Sequence, residues 1–128
     1  METTSKYLLT DAELELMLIL WKLGEASVHE VLGALPKKRV MAYTTASTII
    51  RILEKKGFVA SRKEAKSHIY SPRISKQVYE SRTLGHVMDK LFENTPAALV
   101  ARLIDDHKLS AEEIAELKLL LETRETKQ

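Results

Sequence analysis

Between Tyr43 and Lys55, the residues Thr44, Ser47, Thr48, Arg51 and Lys55 recur at intervals of one, three and four. A helix over this segment gathers them on one side. The stripe carries no large apolar group. Short hydroxyls near the start of such a helix allow close approach to a nucleic-acid groove, and a threonine methyl can touch a thymine methyl. One or two turns later, Arg51 and Lys55 reach base edges or phosphates. The opposing stripe, Ala46, Ile49, Ile50 and Leu53, has the spacing of a face turned into a core. A merely solvated face is the plainer reading, yet β-branched threonine is a poor surface helix former. Tyr43-Thr44-Thr45-Ala46-Ser47-Thr48 nevertheless places three threonines in six residues, so something other than helix propensity favours them.

The charge around this segment agrees. Pro36 to Ser67 holds nine basic residues (Lys37, Lys38, Arg39, Arg51, Lys55, Lys56, Arg62, Lys63 and Lys66) against Glu54 and Glu64, a surplus of seven. The whole chain carries only +2, so the remainder stands at minus five. A basic block between acidic flanks is the footprint of a nucleic-acid contact surface. By charge alone, a solubilising surface fits equally well.

Other chemistries find few residues to work with. The four histidines, His29, His68, His86 and His107, are scattered, and no His-x-x-x-His pair occurs. Asp105-Asp106-His107 reads as a solvated corner between helices rather than a cation site. Gly24, Gly33, Gly57 and Gly85 are too far apart for a phosphate-cradling loop, and no serine lies in a Gly-x-Ser-x-Gly elbow. Cysteine is absent, which excludes a disulfide scaffold, a thiolate metal site and a catalytic thiol. The sequence thus predicts no catalytic residue, no metal and no cofactor.

The elements that must position the stripe have readable ends. Thr10-Asp11-Ala12-Glu13 is a capping box opening a helix with Leu14, Met17, Leu18 and Trp21, which stops at Gly24. Ser27-Val28-His29-Glu30 is a second box, and Pro36 ends its short helix. The third helix, from about Tyr43 to Lys56, ends at Gly57, suited to a left-handed C′ position. Phe58–Arg62 and His68–Ser71 are strand-like, joined by a polar loop over Lys63-Glu64-Ala65-Lys66-Ser67. Three helices followed by a basic-tipped hairpin is the order of a winged helix-turn-helix. In that fold the third helix puts its N-terminal part into the major groove.

The C-terminal part argues for a second chain. A long helix from Ser75 to Glu93 presents Val78, Met88, Leu91 and Phe92. Thr95-Pro96 reads as an N-cap followed by proline at N1, and Leu99, Val100, Leu103 and Ile104 give the next helix an apolar face. Ser110-Ala111-Glu112-Glu113 opens a last helix with Ile114, Leu117, Leu120 and Leu121. Three such helices are too few to enclose one another. A symmetric homodimer through Val78, Met88, Leu91, Leu99, Leu103, Ile114, Leu117 and Leu121 buries the remainder; packing back onto the N-terminal part is the alternative.

The 128 residues are 45% hydrophobic and 30% charged. No apolar run approaches the roughly 20 residues of a membrane span. Met1–Lys6 lacks the basic and apolar regions of a leader, so a cytoplasmic protein without membrane insertion is expected. The fold class read from the sequence is mainly α with a small β-hairpin wing. Residues 1–73 form a winged-helix DNA-binding domain, and residues 74–128 an α-helical dimerisation domain.

Several of these segments resemble the penicillinase repressor family of bacterial winged-helix repressors, which includes the methicillin-resistance and copper-operon repressors. Leu9-Thr10-Asp11-Ala12-Glu13 with Leu20-Trp21 is similar to its first helix. Ala42-Tyr43-Thr44-Thr45 and Ile52-Leu53-Glu54-Lys55-Lys56-Gly57-Phe58-Val59 are similar to its recognition helix and the start of its wing. His68-Ile69-Tyr70-Ser71-Pro72 is similar to the returning strand. The resemblance implies a homodimeric repressor on a dyad-symmetric, double-stranded operator, of the kind that regulates β-lactam resistance. It implies that Thr44, Thr45, Ser47, Thr48 and Arg51 read the major groove, while Tyr43, Lys55, Arg62 and Lys66 grip the backbone. Family members often carry a larger side chain where this chain has Ser47, so no operator sequence is carried over.

In the β-lactam branch a membrane sensor triggers cleavage within the C-terminal domain. The corresponding bond falls near Arg102-Leu103, whose residues differ from the Asn-Phe of that branch. Copper-responsive members use paired cysteines, which this chain lacks. A different reading of the same basic wing is a protein-interaction module that meets an acidic partner. Such a partner would not require the Thr/Ser stripe beside Arg51.

Overall fold

A computed structural model describes residues 8–125; Met1–Lys6, read above for a leader, lie outside them. The described residues form two compact units, divided between Leu84 and Gly85. The first unit contains α1 (Asp11–Leu23), α2 (Val28–Gly33), α3 (Tyr43–Lys55), β1 (Val59–Glu64) and β2 (Ser67–Pro72). Helix α4 (Lys76–Leu91) begins in the first unit and ends in the second, which also holds α5 (Pro96–Asp105) and α6 (Ala111–Glu125). The mainly helical fold with a two-stranded antiparallel hairpin is the one the sequence predicts.

Both N-terminal capping boxes form. The Glu13 amide donates to Thr10 Oγ1 at 3.2 Å and the Thr10 amide to Glu13 Oε1 at 3.0 Å. Ser27 and Glu30 make the same reciprocal pair, as do Ser110 and Glu113. Thr95 stands at the N-cap before Pro96, but its side chain makes no cap bond; the hydroxyl donates instead to the Glu93 carbonyl at 3.2 Å.

Helix α3 ends in a Schellman cap. Gly57 takes φ +87°; its amide donates to Glu54 O at 3.0 Å and the Phe58 amide to Leu53 O at 2.9 Å. Leu53 and Phe58 are both fully buried, the apolar contact that usually accompanies this cap. The cap therefore anchors α3 and launches β1 from the same core. That core also takes Leu16, Met17 and Leu20 from α1, Val31 from α2 and Ile50 from α3.

The start of α4 is tied into the same unit. Tyr79 packs against Trp21 and Phe58, with ring centroids 5.8 Å apart in each case. The Leu9 amide donates to its hydroxyl at 2.9 Å, and Trp21 Nε1 donates to Ile74 O at 2.8 Å. The compact units divide between Leu84 and Gly85, within α4.

The hairpin turn is shorter than expected. Glu64 pairs with Ser67, leaving only Ala65 and Lys66 between the strands rather than a five-residue loop. Ala65 supplies the left-handed conformation such a tight turn needs, with φ +56°. Backbone bonds in both directions between Ala26 and Tyr70, at 2.8 and 2.9 Å, hook β2 to the α1–α2 connection.

In the second unit, Met88 is the buried hydrophobic residue among those described. Helix α5 buries no residue. Leu99, Leu103, Ile114 and Leu117 are half-buried, whereas Leu91, Leu119 and Leu121 are 73%, 63% and 70% exposed. Among the described residues no helix is long and apolar enough to cross a membrane.

Candidate nucleic-acid interface

Helix α3 buries Ala46, Ile50 and Leu53 and turns its other side outward. Thr44, Thr45, Thr48, Arg51 and Lys55 are exposed, and Ser47 is half-buried. Thr48 Oγ1 donates to the Thr44 carbonyl at 2.9 Å, which spends its proton on the helix and leaves the methyl and oxygen lone pairs for a partner. Unlike α1 and α2, α3 starts at Ala42 without a side-chain cap, so its first-turn amides remain available to an outside acceptor.

Beside α3 lies a groove of about 470 Å³, formed by α3, the start of α2 and the hairpin. It brings together Tyr43, Ser47, Arg51 and Lys66 from the sequence-predicted set. It also adds His29 and His68, which sequence reasoning had passed over. The His29 ring lies against Tyr43 with centroids 4.6 Å apart. Burial raises the Tyr70 phenol, with Glu54 adding to the effect and Arg51 opposing it, so Tyr70 stays protonated at neutral pH.

Strand register sorts the wing residues by face. Lys63 pairs with His68 and Ser61 with Tyr70, while Arg62 pairs with Ile69. Alternation therefore puts Lys63, His68, Ser61 and Tyr70 on one side of the hairpin and Arg62 on the other. The signal for Lys63 and His68 was present in the alternation, but placing the turn over five residues concealed it.

Ion pairs divide the basic block further. Arg62 Nη2 contacts Glu25 Oε2 at 3.0 Å and its other terminal nitrogen contacts Glu64; Glu64 and then Glu25 favour its charged form. Arg39 pairs with Glu15 at 2.8 Å and Lys56 with Glu13 at 2.7 Å. Among the described residues Arg51, Lys55, Lys63 and Lys66 have no ion-pair partner. Of the block's cations without an ion-pair partner among the described residues, Arg51 and Lys55 lie on α3, Lys63 and Lys66 at the tip of the hairpin, and Lys37 and Lys38 in the connection before α3.

The Lys56–Glu13 pair is a brace for this surface. It joins the end of α3 to the capping box of α1, and Glu13 is buried. Burial alone would raise the Glu13 carboxyl; Lys56 and the Thr10 amide outweigh it and hold the group below its ordinary value. Among the described residues no group of three or more His, Asp or Glu is placed to hold a metal ion.

The penicillinase repressor family profile matches residues 9–123. The penicillinase repressor of Bacillus licheniformis is 31% identical over 114 residues, covering 89% of each chain. The methicillin resistance regulatory protein MecI of Mammaliicoccus sciuri is 28% identical over 115 residues, covering 90% of this chain and 94% of that one. The solution structure of the DNA-binding domain of the repressor BlaI superposes with a TM-score of 0.50 at 34% identity, over 56% of this chain and 87% of that domain.

Proposed function

The chain belongs to the penicillinase repressor family, and from that premise we propose that it is a cytoplasmic transcriptional repressor acting as a homodimer on a dyad-symmetric operator in double-stranded DNA. The observation that carries the reading is the outer face of α3. Hydroxyls and Arg51 stand exposed there, beside a wing whose open cations are Lys63 and Lys66. In such a complex Thr44, Thr45, Ser47, Thr48 and Arg51 meet base edges in the major groove. Tyr43, Lys55 and Lys66 meet phosphates, which set position rather than sequence preference. Arg62, already shared by two carboxylates on the far side of the hairpin, serves to hold the wing against the α1–α2 connection.

The homodimer rests on the second unit, where Leu91, Leu119, Leu120 and Leu121 remain exposed within one chain. Two copies present two reading helices, as a palindromic site requires. The names of the relatives point to β-lactam resistance genes as the class regulated.

Release by a membrane sensor and proteolysis near Arg102-Leu103 belongs to the same proposal. That bond lies within α5, so cleavage requires the helix to open locally. A shortened product after incubation with extract of antibiotic-induced cells, read by mass spectrometry, is the expected result; an intact chain overturns this part.

Selection from random duplex DNA, with the mass of the complex read alongside, tests the function itself. A dyad-symmetric consensus held by two chains is expected. Binding that is erased by salt and yields no consensus overturns operator recognition.

A further inference from the structure

We infer that His29 and His68 are additional contacts to the DNA backbone, each donating an imidazolium N–H to a phosphate, so that DNA affinity is linked to proton uptake. The inference rests on the DNA-binding reading above.

Both imidazoles are exposed and both line the groove beside α3, one from α2 and the other from β2. Between them the same groove receives Arg51 from α3 and Lys66 from the hairpin turn. Glu54 is the carboxylate lining it, and this group accepts a hydrogen bond from the Ser61 hydroxyl at 2.7 Å. Lys63 stands across the register from His68. Tyr43 stacks on His29, and Tyr70, beside His68 at 6.4 Å, stays neutral through the range in which histidine titrates. Three elements thus aim cations and imidazoles into one concavity, at the edge of the helix that reads the bases.

The sign follows from these charges. Arg51 and Lys66 bring positive charge into the groove that both imidazoles line, against the carboxylate of Glu54. A phosphate seated in the groove reverses the local field and favours the imidazolium. Binding therefore takes up protons, and affinity rises as the pH falls from about 8 to about 5.5, the range in which histidine changes charge.

The test uses the full chain and a random-sequence duplex of about 30 base pairs, because phosphate contacts do not depend on sequence. The slope of log affinity against log salt is measured at both ends of that pH range. The slope is expected to steepen in acid by about 0.9 for each imidazolium that meets a phosphate. His29→Gln and His68→Gln each remove about half of the change, and the double variant removes it. His86→Gln and His107→Gln, in the second unit, leave it intact. Proton NMR of the unsubstituted chain provides a second reading, in which DNA raises the pKa of His29 and His68 but not of His86 and His107.

An acid-steepened slope that persists in the double variant overturns the inference, as do His29 and His68 signals that DNA leaves unmoved. Inorganic phosphate shifting both signals as far as the duplex does would assign the groove to free anions instead. If the chain binds no duplex at any pH, the DNA-binding reading fails as well, which separates that failure from a fault in the histidine assignment alone.

Discussion

The two compact units differ in what one chain can finish. In residues 8–84 every element contributes to a closed core, with Leu16, Leu20, Val31, Ile50, Leu53 and Phe58 fully buried. In residues 85–125, Met88 is buried while Leu119, Leu120 and Leu121 remain exposed in succession. The first unit can hold α3 and the hairpin rigid by itself. The second leaves apolar area that water penalises at about 25 cal/mol per Å², a cost that the proposed second copy would relieve. A first unit complete in one chain and a second incomplete in one chain is the division the proposed dimeric repressor would require.

The sharpest way to break this comparison is to charge the uncovered face. Leu121→Glu changes a side chain that one chain leaves 70% exposed, so the isolated fold should tolerate it. The expected outcome is a halved mass in light scattering. Affinity for a duplex carrying two half-sites should fall about 10²–10⁴-fold through lost avidity, with single half-site affinity unchanged.

In the first unit the contrasting change is Phe58→Ala, which empties the space beneath the α3 cap. It should cost about 3–5 kcal/mol, measured by denaturant unfolding, and this loss should not depend on protein concentration.

Glu13→Gln removes the brace between α1 and α3 and should cost about 1.5–3 kcal/mol at neutral pH. The folded-state pKa of Glu13 is lowered, so its contribution is full above the ordinary carboxylate range and is lost as the pH falls through the folded value. The stability gap between Glu13→Gln and the unsubstituted chain should therefore close in acid.

The smallest effects separate two contacts on one surface. Arg51→Ala should weaken binding to the selected consensus by about 1–3 kcal/mol and relax preference at one base position. Lys66→Ala should weaken binding to all sequences alike and flatten the salt slope by about 0.9. Equal behaviour of the two variants on consensus and random DNA would contradict the division between reading and gripping.

Much of the first unit was legible because its signals are local. Thr10 and Glu13 are three residues apart, as are Ser27 and Glu30, and the Gly57 stop needs only its own φ and the preceding turn. The apolar and hydroxyl stripes of α3 likewise depend on spacing within thirteen residues. The structure adds what spacing could not carry where distant partners or an unmarked conformation decide the outcome. Ala65 adopts a positive φ that nothing in the residue type announces, and the short turn it permits assigns Lys63 and His68 to one face. Arg62 counts toward the basic block by sequence, yet Glu25, 37 residues away, claims it. Tyr79 joins the first core through Leu9, 70 residues distant, which is why the compact units divide inside α4 rather than before it.

Hydrogen exchange on the full chain, with protein concentration and duplex DNA varied independently, addresses the division of labour between the units most directly. Raising the concentration should protect α5 and α6 and leave α3 unchanged. Adding the selected duplex should protect the start of α3 and the hairpin tip around Ala65 and Lys66. Protection by DNA centred on α5 and α6, or exchange in those helices that ignores concentration, would contradict it.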